Sequence, residues 1–307
     1  MKQRTLDSFL NIKHKRIVPE TFCLNSDFTT KLYSTEDDIF VKKCNIRYLK
    51  GFFEVSLYAS SSLMHAYVFP ETRYSEKSVP FFKSLLQKAI RRGFVDHALY
   101  ACYTLLQIDH MTLYRRLPII MIEDVRIHEG FATLVWHMMA DIPPSEKTLI
   151  WILGLVQMLC EHTVAVNYEN TDMLPNVIPD DPIVWAIIFR IEYGGMKGDI
   201  QMLKYIVCKI CENDLNILQD SIKGVSIETL KTPTVWMYEA IDFHILPSLL
   251  LFECNFTSTE IKKMMWYNAS SINFRRKTTP YRLEDWKSIA FQIRSIQIRY
   301  FNSVVMT

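Results

Sequence analysis

The stretch that decides the fold runs over Phe82–Ala132 and reads FKSLLQKAIRRGFVDHALYACYTLLQIDHMTLYRRLPIIMIEDVRIHEGFA. Apolar side chains recur in it at helical spacing, first over 85–90 and again over 98–106. The interruption Arg-Arg-Gly-Phe-Val-Asp between these two segments predicts two packed helices that are joined by a tight corner. A third helix is predicted from near Leu113, with Pro118 in its first turn, where a missing N–H is tolerated.

The composition extends this helical prediction to the whole chain. Hydrophobic residues make up 49% of the 307 residues, whereas only eight are glycine and twelve proline, which favours helices over a turn-rich β architecture. The apolar run over 48–69 predicts a buried helix, and the mixed segment over 17–45 predicts a linker or a loosely packed cover. We therefore expect an all-α, two-lobed helical bundle with a flexible N-terminal tail.

Domain boundaries follow from breaks in the apolar pattern. The longest break, NYENTDMLPNVIPDDP, separates a helical lobe over 21–165 from a second helical lobe over 166–307, and a tail covers 1–20. The most apolar windows lie over 149–160 and 245–252. Both are too short to span a bilayer, which requires about 20 apolar residues. The expected set of partners therefore excludes the membrane.

Charge and cysteine usage narrow the class of protein further. The net charge of +2 does not by itself indicate nucleic-acid binding, so any basic surface must be local. The seven cysteines have no regular spacing, which predicts small buried side chains in a reducing intracellular compartment and no disulfide framework.

The N-terminal tail contains one compact motif, QRTLDSFL. A single helical turn would place three apolar side chains, Leu6, Phe9 and Leu10, on one side, with Gln3 at the rim. This pattern resembles the sliding-clamp (PCNA-like) binding motif of replication and repair proteins, although Leu10 stands where that motif prefers a second aromatic. The resemblance implies that the clamp is a partner. The basic residues behind the motif, Lys13, Lys15 and Arg16, are candidates for contact with the clamp or with DNA. A frayed terminus with a chance match and a targeting peptide are the alternatives.

The central stretch also resembles a known family. The segments LQKAIRRG, DHALY, YRRL and IEDV are similar to the helical C-terminal region of the RarA and Werner-interacting ATPases, which are related to clamp loaders. The similarity covers about fifty residues and implies self-association into a homo-oligomer. No GxxxxGK[ST] sequence is present, so no phosphate cradle is available and ATP hydrolysis is not carried over.

Two basic groups of the core are candidates for DNA phosphate. Arg91 and Arg92 lie at the predicted helix corner, and Arg275, Arg276 and Lys277 follow an aromatic and amide-rich segment. The sequence also allows purely structural roles. Arg115 and Arg116 could pair with Glu123 and Asp124 across the helix corner, and the aromatics Trp266, Tyr267 and Phe274 could belong to the core.

The catalytic signals are weak. No residues are assigned as catalytic or metal-binding and no cofactor is expected, because the single CxxC pair lies in an apolar helical pattern without a second pair. The sequence therefore favours a non-catalytic accessory protein of DNA replication or repair, at work in the nucleus or at a viral or organellar replication site. The alternative is a clamp-recruited, metal-dependent nuclease or phosphohydrolase that uses Asp96, Asp109 or Asp124.

Overall fold

A computed structural model describes residues 18–48, 51–162, 166, 168–242, 244–245, 255–270 and 279–306. Four strands come first: β1 (Thr21–Leu24), β2 (Thr30–Lys31), β3 (Asp38–Tyr48) and β4 (Gly51–Ser60). The helices that follow are α1 (Val79–Arg92), α2 (Val95–Asp124), α3 (Gly130–Ala140), α4 (Glu146–Glu161), α5 (Pro182–Glu192), α6 (Lys197–Cys211), α7 (Ser258–Ala269) and α8 (Leu283–Tyr300). The fold is mixed α/β, so the all-α prediction is wrong.

The four strands form one mixed sheet in the order β2-β1-β4-β3. β3 and β4 make an antiparallel hairpin with a bulge between Phe40 and Lys42, and β1 pairs in parallel with β4. In the hairpin, side chains alternate between a buried and a solvent-facing side, as half-buried strands require. The predicted buried helix over 48–69 is therefore wrong, and the expected linker over 17–45 contributes three of the four strands.

The inner face of the sheet packs on α3 and α5. The Phe22 ring of β1 lies 5.6 Å from the Phe189 ring of α5, and Tyr48 of β3 lies 5.7 Å from Trp185. The Trp136 indole of α3 donates a hydrogen bond of 3.0 Å to the Phe22 carbonyl. Every residue of α3 is buried, which explains why its sequence is apolar on all sides. This helix is the centre of the core.

Several helix ends are capped by residues that suit these positions. The Ser145 hydroxyl accepts from the Thr148 amide at the start of α4, and the Asp181 carboxylate accepts from two amides at the start of α5. Gly93 ends α1 in the left-handed conformation, with φ of 68°, and this residue forms the predicted corner.

The two helices predicted after this corner form one kinked helix, α2. Asp109 has non-helical φ and ψ of −162° and 81°, and its carboxylate caps the second half by accepting from the Thr112 amide at 2.9 Å. Pro118 lies in the interior of that second half and not in a first turn, so this detail of the prediction is wrong.

Candidate functional site

A polar cleft of about 620 Å³ lies where the stretch that decides the fold meets the second half of the chain. We call it the charged cleft. One wall is a stripe of α1 formed by Ser84, Gln87, Lys88 and Arg91, whose spacing places them on a single helix face. The other walls come from the end of α2, the start of α6, the segment over 239–245 and the end of α7.

Lys88 is the most deeply buried charge of the cleft. Its ammonium lies 3.0 Å from the Asp242 carboxylate and donates to the Ser84 hydroxyl at 2.7 Å. Burial lowers the pKa of Lys88, and the Asp242 charge opposes that effect. Burial acts to raise the pKa of Asp242, but the charge and hydrogen bond of Lys88 outweigh it and hold that pKa below its usual value. The pair therefore joins α1 to the segment that contains Asp242.

A second group of charges joins α1 to the end of α2. Arg91 Nε lies 2.5 Å from Asp124 Oδ1, and the Gln87 amide donates to Glu123 and Asp124 at 2.9 Å each. Arg116 lies 3.3 Å from Glu123 and donates to the Gln87 amide oxygen at 2.6 Å. The hypothesis that Arg115 and Arg116 pair with Glu123 and Asp124 across the helix corner is confirmed for Arg116 and Glu123.

Burial lowers the pKa of Lys88, but it raises the pKa of two neighbouring carboxyl groups. It raises the pKa of Glu123, although the charge of Arg116 acts in the other direction. It likewise raises the pKa of Asp199, the first-turn residue of α6, against the charges of Arg116 and Arg190. Burial thus favours the protonated form of these two carboxyls.

Arg92 forms its ion pair with a different carboxylate from its neighbour Arg91. Its guanidinium lies 2.5 Å from Glu239, and Arg294 of α8 contacts the same carboxylate at 2.5 Å. Arg91 and Arg92 also donate to the carbonyls of Ser270 and Ala269, each at 3.3 Å. These carbonyls lie at the C-terminal end of α7, where a helix leaves acceptors without an internal donor. The adjacent arginines thus hold α7 and α8 against α1.

The chemistry of the cleft is that of a balanced ionic junction. Lys88, Arg91, Arg92 and Arg116 each face a carboxylate at ion-pair distance. Arg91 and Arg92 retain side-chain exposures of only 10% and 15%. Direct phosphate contact by Arg91 or Arg92 would require these pairs to open. The other predicted binding residues lie outside the described residues: Gln3, Leu6, Phe9, Leu10, Lys13, Lys15, Arg16, Arg275, Arg276 and Lys277.

Two of the three carboxylates of the nuclease alternative have structural partners: Asp109 caps the second half of α2 and Asp124 pairs with Arg91. Asp96 lies in the first turn of α2. Within the described ranges, no three or more His, Cys, Asp or Glu side chains are grouped so that they could hold a metal ion. No disulfide links the six cysteines of those ranges.

Sequence reasoning missed Lys88, Gln87, Glu239 and Asp242. The stripe at 84, 87, 88 and 91 could have indicated a polar helix face beside the apolar one, because its spacing is helical. Its partners in the segment over 239–242 could not be predicted from spacing, because they lie about 150 residues further along the chain.

Comparison with known proteins adds no assignment: no family model, no curated protein and no solved structure matches this chain. Among the described residues, no helix is both long enough and apolar enough to cross a membrane. The resemblances of the tail and of the central stretch therefore remain hypotheses about function.

Proposed function

We propose that this protein is a non-catalytic accessory of DNA replication or repair that binds a sliding clamp through its N-terminal motif. The observation that carries the proposal is the motif itself, in which Gln3 is followed by Leu6, Phe9 and Leu10 at the spacing of one helical turn. Three apolar side chains on one side of a turn form a plug for an apolar pocket, and the glutamine can hydrogen-bond at the rim.

The position of the motif relative to the core supports the proposal. Val18 is already buried, at 5% exposure, and β1 begins at Thr21. The packed core therefore starts a few residues after Leu10, and the basic residues over 13–16 lie between motif and core. A clamp held by the motif would bring these cations next to the acidic clamp edge or to the DNA that passes through it.

The core would supply assembly and further contacts. The resemblance of the central stretch to clamp-loader relatives implies self-association, and the charged cleft shows how that stretch is joined to the later helices. Lys13, Lys15, Arg16, Arg275, Arg276 and Lys277 are the proposed phosphate contacts, together with Arg91 and Arg92 if their ion pairs open. Such a protein would act in the nucleus or at a viral or organellar replication site.

The test is a titration of purified clamp with the full-length protein and with its Phe9→Ala, Leu10→Ala variant. Hot-spot side chains that fill a pocket carry most of the affinity, so we expect the variant to bind at least about tenfold more weakly. Ile12→Ala is the matched control, because it removes a comparable apolar side chain just outside the motif. Equal affinity of the parent protein and the double variant would refute clamp binding by this motif.

A further inference from the structure

The solvent-facing side of the sheet differs from the polar surface that a half-buried sheet normally exposes. The inner side of the β3–β4 hairpin is buried through residues such as Ile46, Val55 and Leu57. The outer side carries two exposed phenylalanines: Phe52 is 79% exposed and Phe40 is 50% exposed. Exposed aromatic rings on a sheet are the informative exception to the usual alternation of apolar and polar sides.

The register arranges the outer side chains in cross-strand pairs along the hairpin. From the end near the turn, β3 and β4 pair Arg47 with Phe52, Asn45 with Glu54, Lys43 with Ser56 and Phe40 with Tyr58. Phe40 and Tyr58 are in edge-to-face contact, with ring centroids 5.6 Å apart. We call this row of four pairs the aromatic sheet face. At about 3.3 Å per residue, Phe52 and Tyr58 lie roughly 20 Å apart along β4.

The charge of the aromatic sheet face is positive. Arg47 is exposed and has no ion-pair partner among the described residues. Lys43 pairs with Glu54 at 2.6 Å, but both side chains are more than half exposed. An ion pair of that kind is worth little in water and can exchange its carboxylate for a phosphate.

These features together select one class of partner. We propose that the aromatic sheet face binds single-stranded nucleic acid, with Phe52 and the Phe40–Tyr58 pair as platforms for bases and with Arg47 and Lys43 as phosphate contacts. A single strand presents flat base faces for stacking and a phosphate at every step, whereas the bases of a duplex are already stacked on each other. Asn45, between the aromatic ends, offers an amide to a base edge.

A protein partner fits this face less well. The cores of protein interfaces are depleted in lysine, and here cations and an amide separate the aromatic ends. The inference goes beyond the proposed function and does not depend on clamp binding, since no residue of the tail takes part.

The test measures binding of fluorescein-labelled dT12 to the full-length protein by fluorescence anisotropy, with U12 and a 12-base-pair duplex as comparisons. Phe52→Ala removes one stacking ring, so we expect this variant to bind the single strands at least about fivefold more weakly than the parent. Phe291→Ala is the matched control, because Phe291 is 81% exposed on α8. It should bind as the parent does. Thermal unfolding of each variant checks that the exposed substitution leaves the fold intact.

A second variant tests the phosphate contact. Arg47→Ala should lower the slope of log K against log salt concentration by about 0.7, the value for one phosphate contact on a single strand. Similar affinity for dT12 and U12 indicates recognition of features that both strands share, and a preference for one of them identifies the source. The Phe9→Ala, Leu10→Ala variant should bind both strands like the parent, which separates this inference from the clamp hypothesis.

Three results would overturn the inference. These are no binding of either strand at low salt, equal losses for Phe52→Ala and Phe291→Ala, or tighter binding of the duplex than of the single strands. A change of molar mass in light scattering on Phe52→Ala, with strand binding unchanged, would assign the face to contact between copies of this chain.

Discussion

Buried His137 should make the protein sensitive to acid. The ring lies in the last turn of α3 at 1% exposure and stacks on Tyr114 with centroids 5.2 Å apart. Neither ring nitrogen has a hydrogen-bond partner among the described residues. Burial, with a smaller effect from His110, lowers the pKa of His137 to about 3. The position near a helix C-terminus favours the cation, but burial outweighs it.

The sign and size of the effect follow from proton linkage. The folded pKa lies below the ordinary value of 6.5, so the unfolded chain binds the proton more readily and folding stability falls as the pH drops below 6.5. Each pH unit costs about 1.4 kcal/mol, which gives roughly 2.7 kcal/mol at two units below 6.5. The loss ends near the folded pKa, at about 5 kcal/mol.

The perturbation is His137→Phe, which keeps an aromatic ring and removes two buried polar atoms that lack described partners. Urea unfolding at several pH values between 7.5 and 4.5 measures the free energy of unfolding of parent and variant. We expect the variant to be equally or more stable at pH 7.5 and its advantage to grow by about 1.4 kcal/mol per unit below pH 6.5.

Titrating groups remote from residue 137 contribute equally to both proteins and cancel in the difference between them. His65 is exposed, and His65→Phe serves as the control that should keep the acid dependence of the parent. A constant difference between parent and His137→Phe from pH 7.5 to 4.5 would show that His137 is not held neutral by burial.

Three further substitutions test the Lys88–Asp242 ion pair and the surroundings of two helical glycines. Asp242→Asn leaves buried Lys88 without its carboxylate and should lower the free energy of unfolding, measured by urea titration, by about 3 kcal/mol. A loss below about 1 kcal/mol would mean that the pair is not desolvated. Gly154→Ala would drive a methyl group into the Lys223 carbonyl and should cost about 2 kcal/mol, seen as a lower Tm. Gly198→Ala is its counterpart, because a Cβ there meets nothing within 4 Å, and it should stabilise helix α6 by about 0.5 kcal/mol. A lower Tm for Gly198→Ala would contradict that reasoning.

The helical half of the chain was predictable because its signals are local. A cap such as Ser145 acts on an amide three positions later, and Gly93 acts on the turn that precedes it. The apolar face of α1 needs only the helical period. Pro118 was misplaced because the kink at Asp109 moves the start of the second helical segment towards the N-terminus, and the Asp109 cap could have indicated that start.

The sheet was missed for a physical reason that bears on its proposed role. Alternation identifies a half-buried strand only if the outer side chains are polar. In β4 the outer positions include the aromatic Phe52 and Tyr58 as well as the polar Glu54 and Ser56, so the alternation is incomplete and the segment also fits a buried helix. The aromatic side chains that make this strand difficult to recognise in the sequence are the ones that we propose stack on nucleic-acid bases.

The candidate site was only partly visible in the sequence. Arg91 and Arg92 stand out as a basic pair, and their position at a helix corner was predicted. Their carboxylate partners Asp124 and Glu239 belong to distant segments, and no spacing rule relates them to α1. The sequence therefore indicates charge at this corner, whereas the structure shows that the charge is already paired.

The strand order has a consequence for how the chain reaches this fold. The β3–β4 hairpin joins residues close in sequence, so its pairing costs little loop-closure entropy and can form early. β1 pairs in parallel with β4 across the whole of β3, so its pairing closes a longer loop and we expect it to follow that of the hairpin.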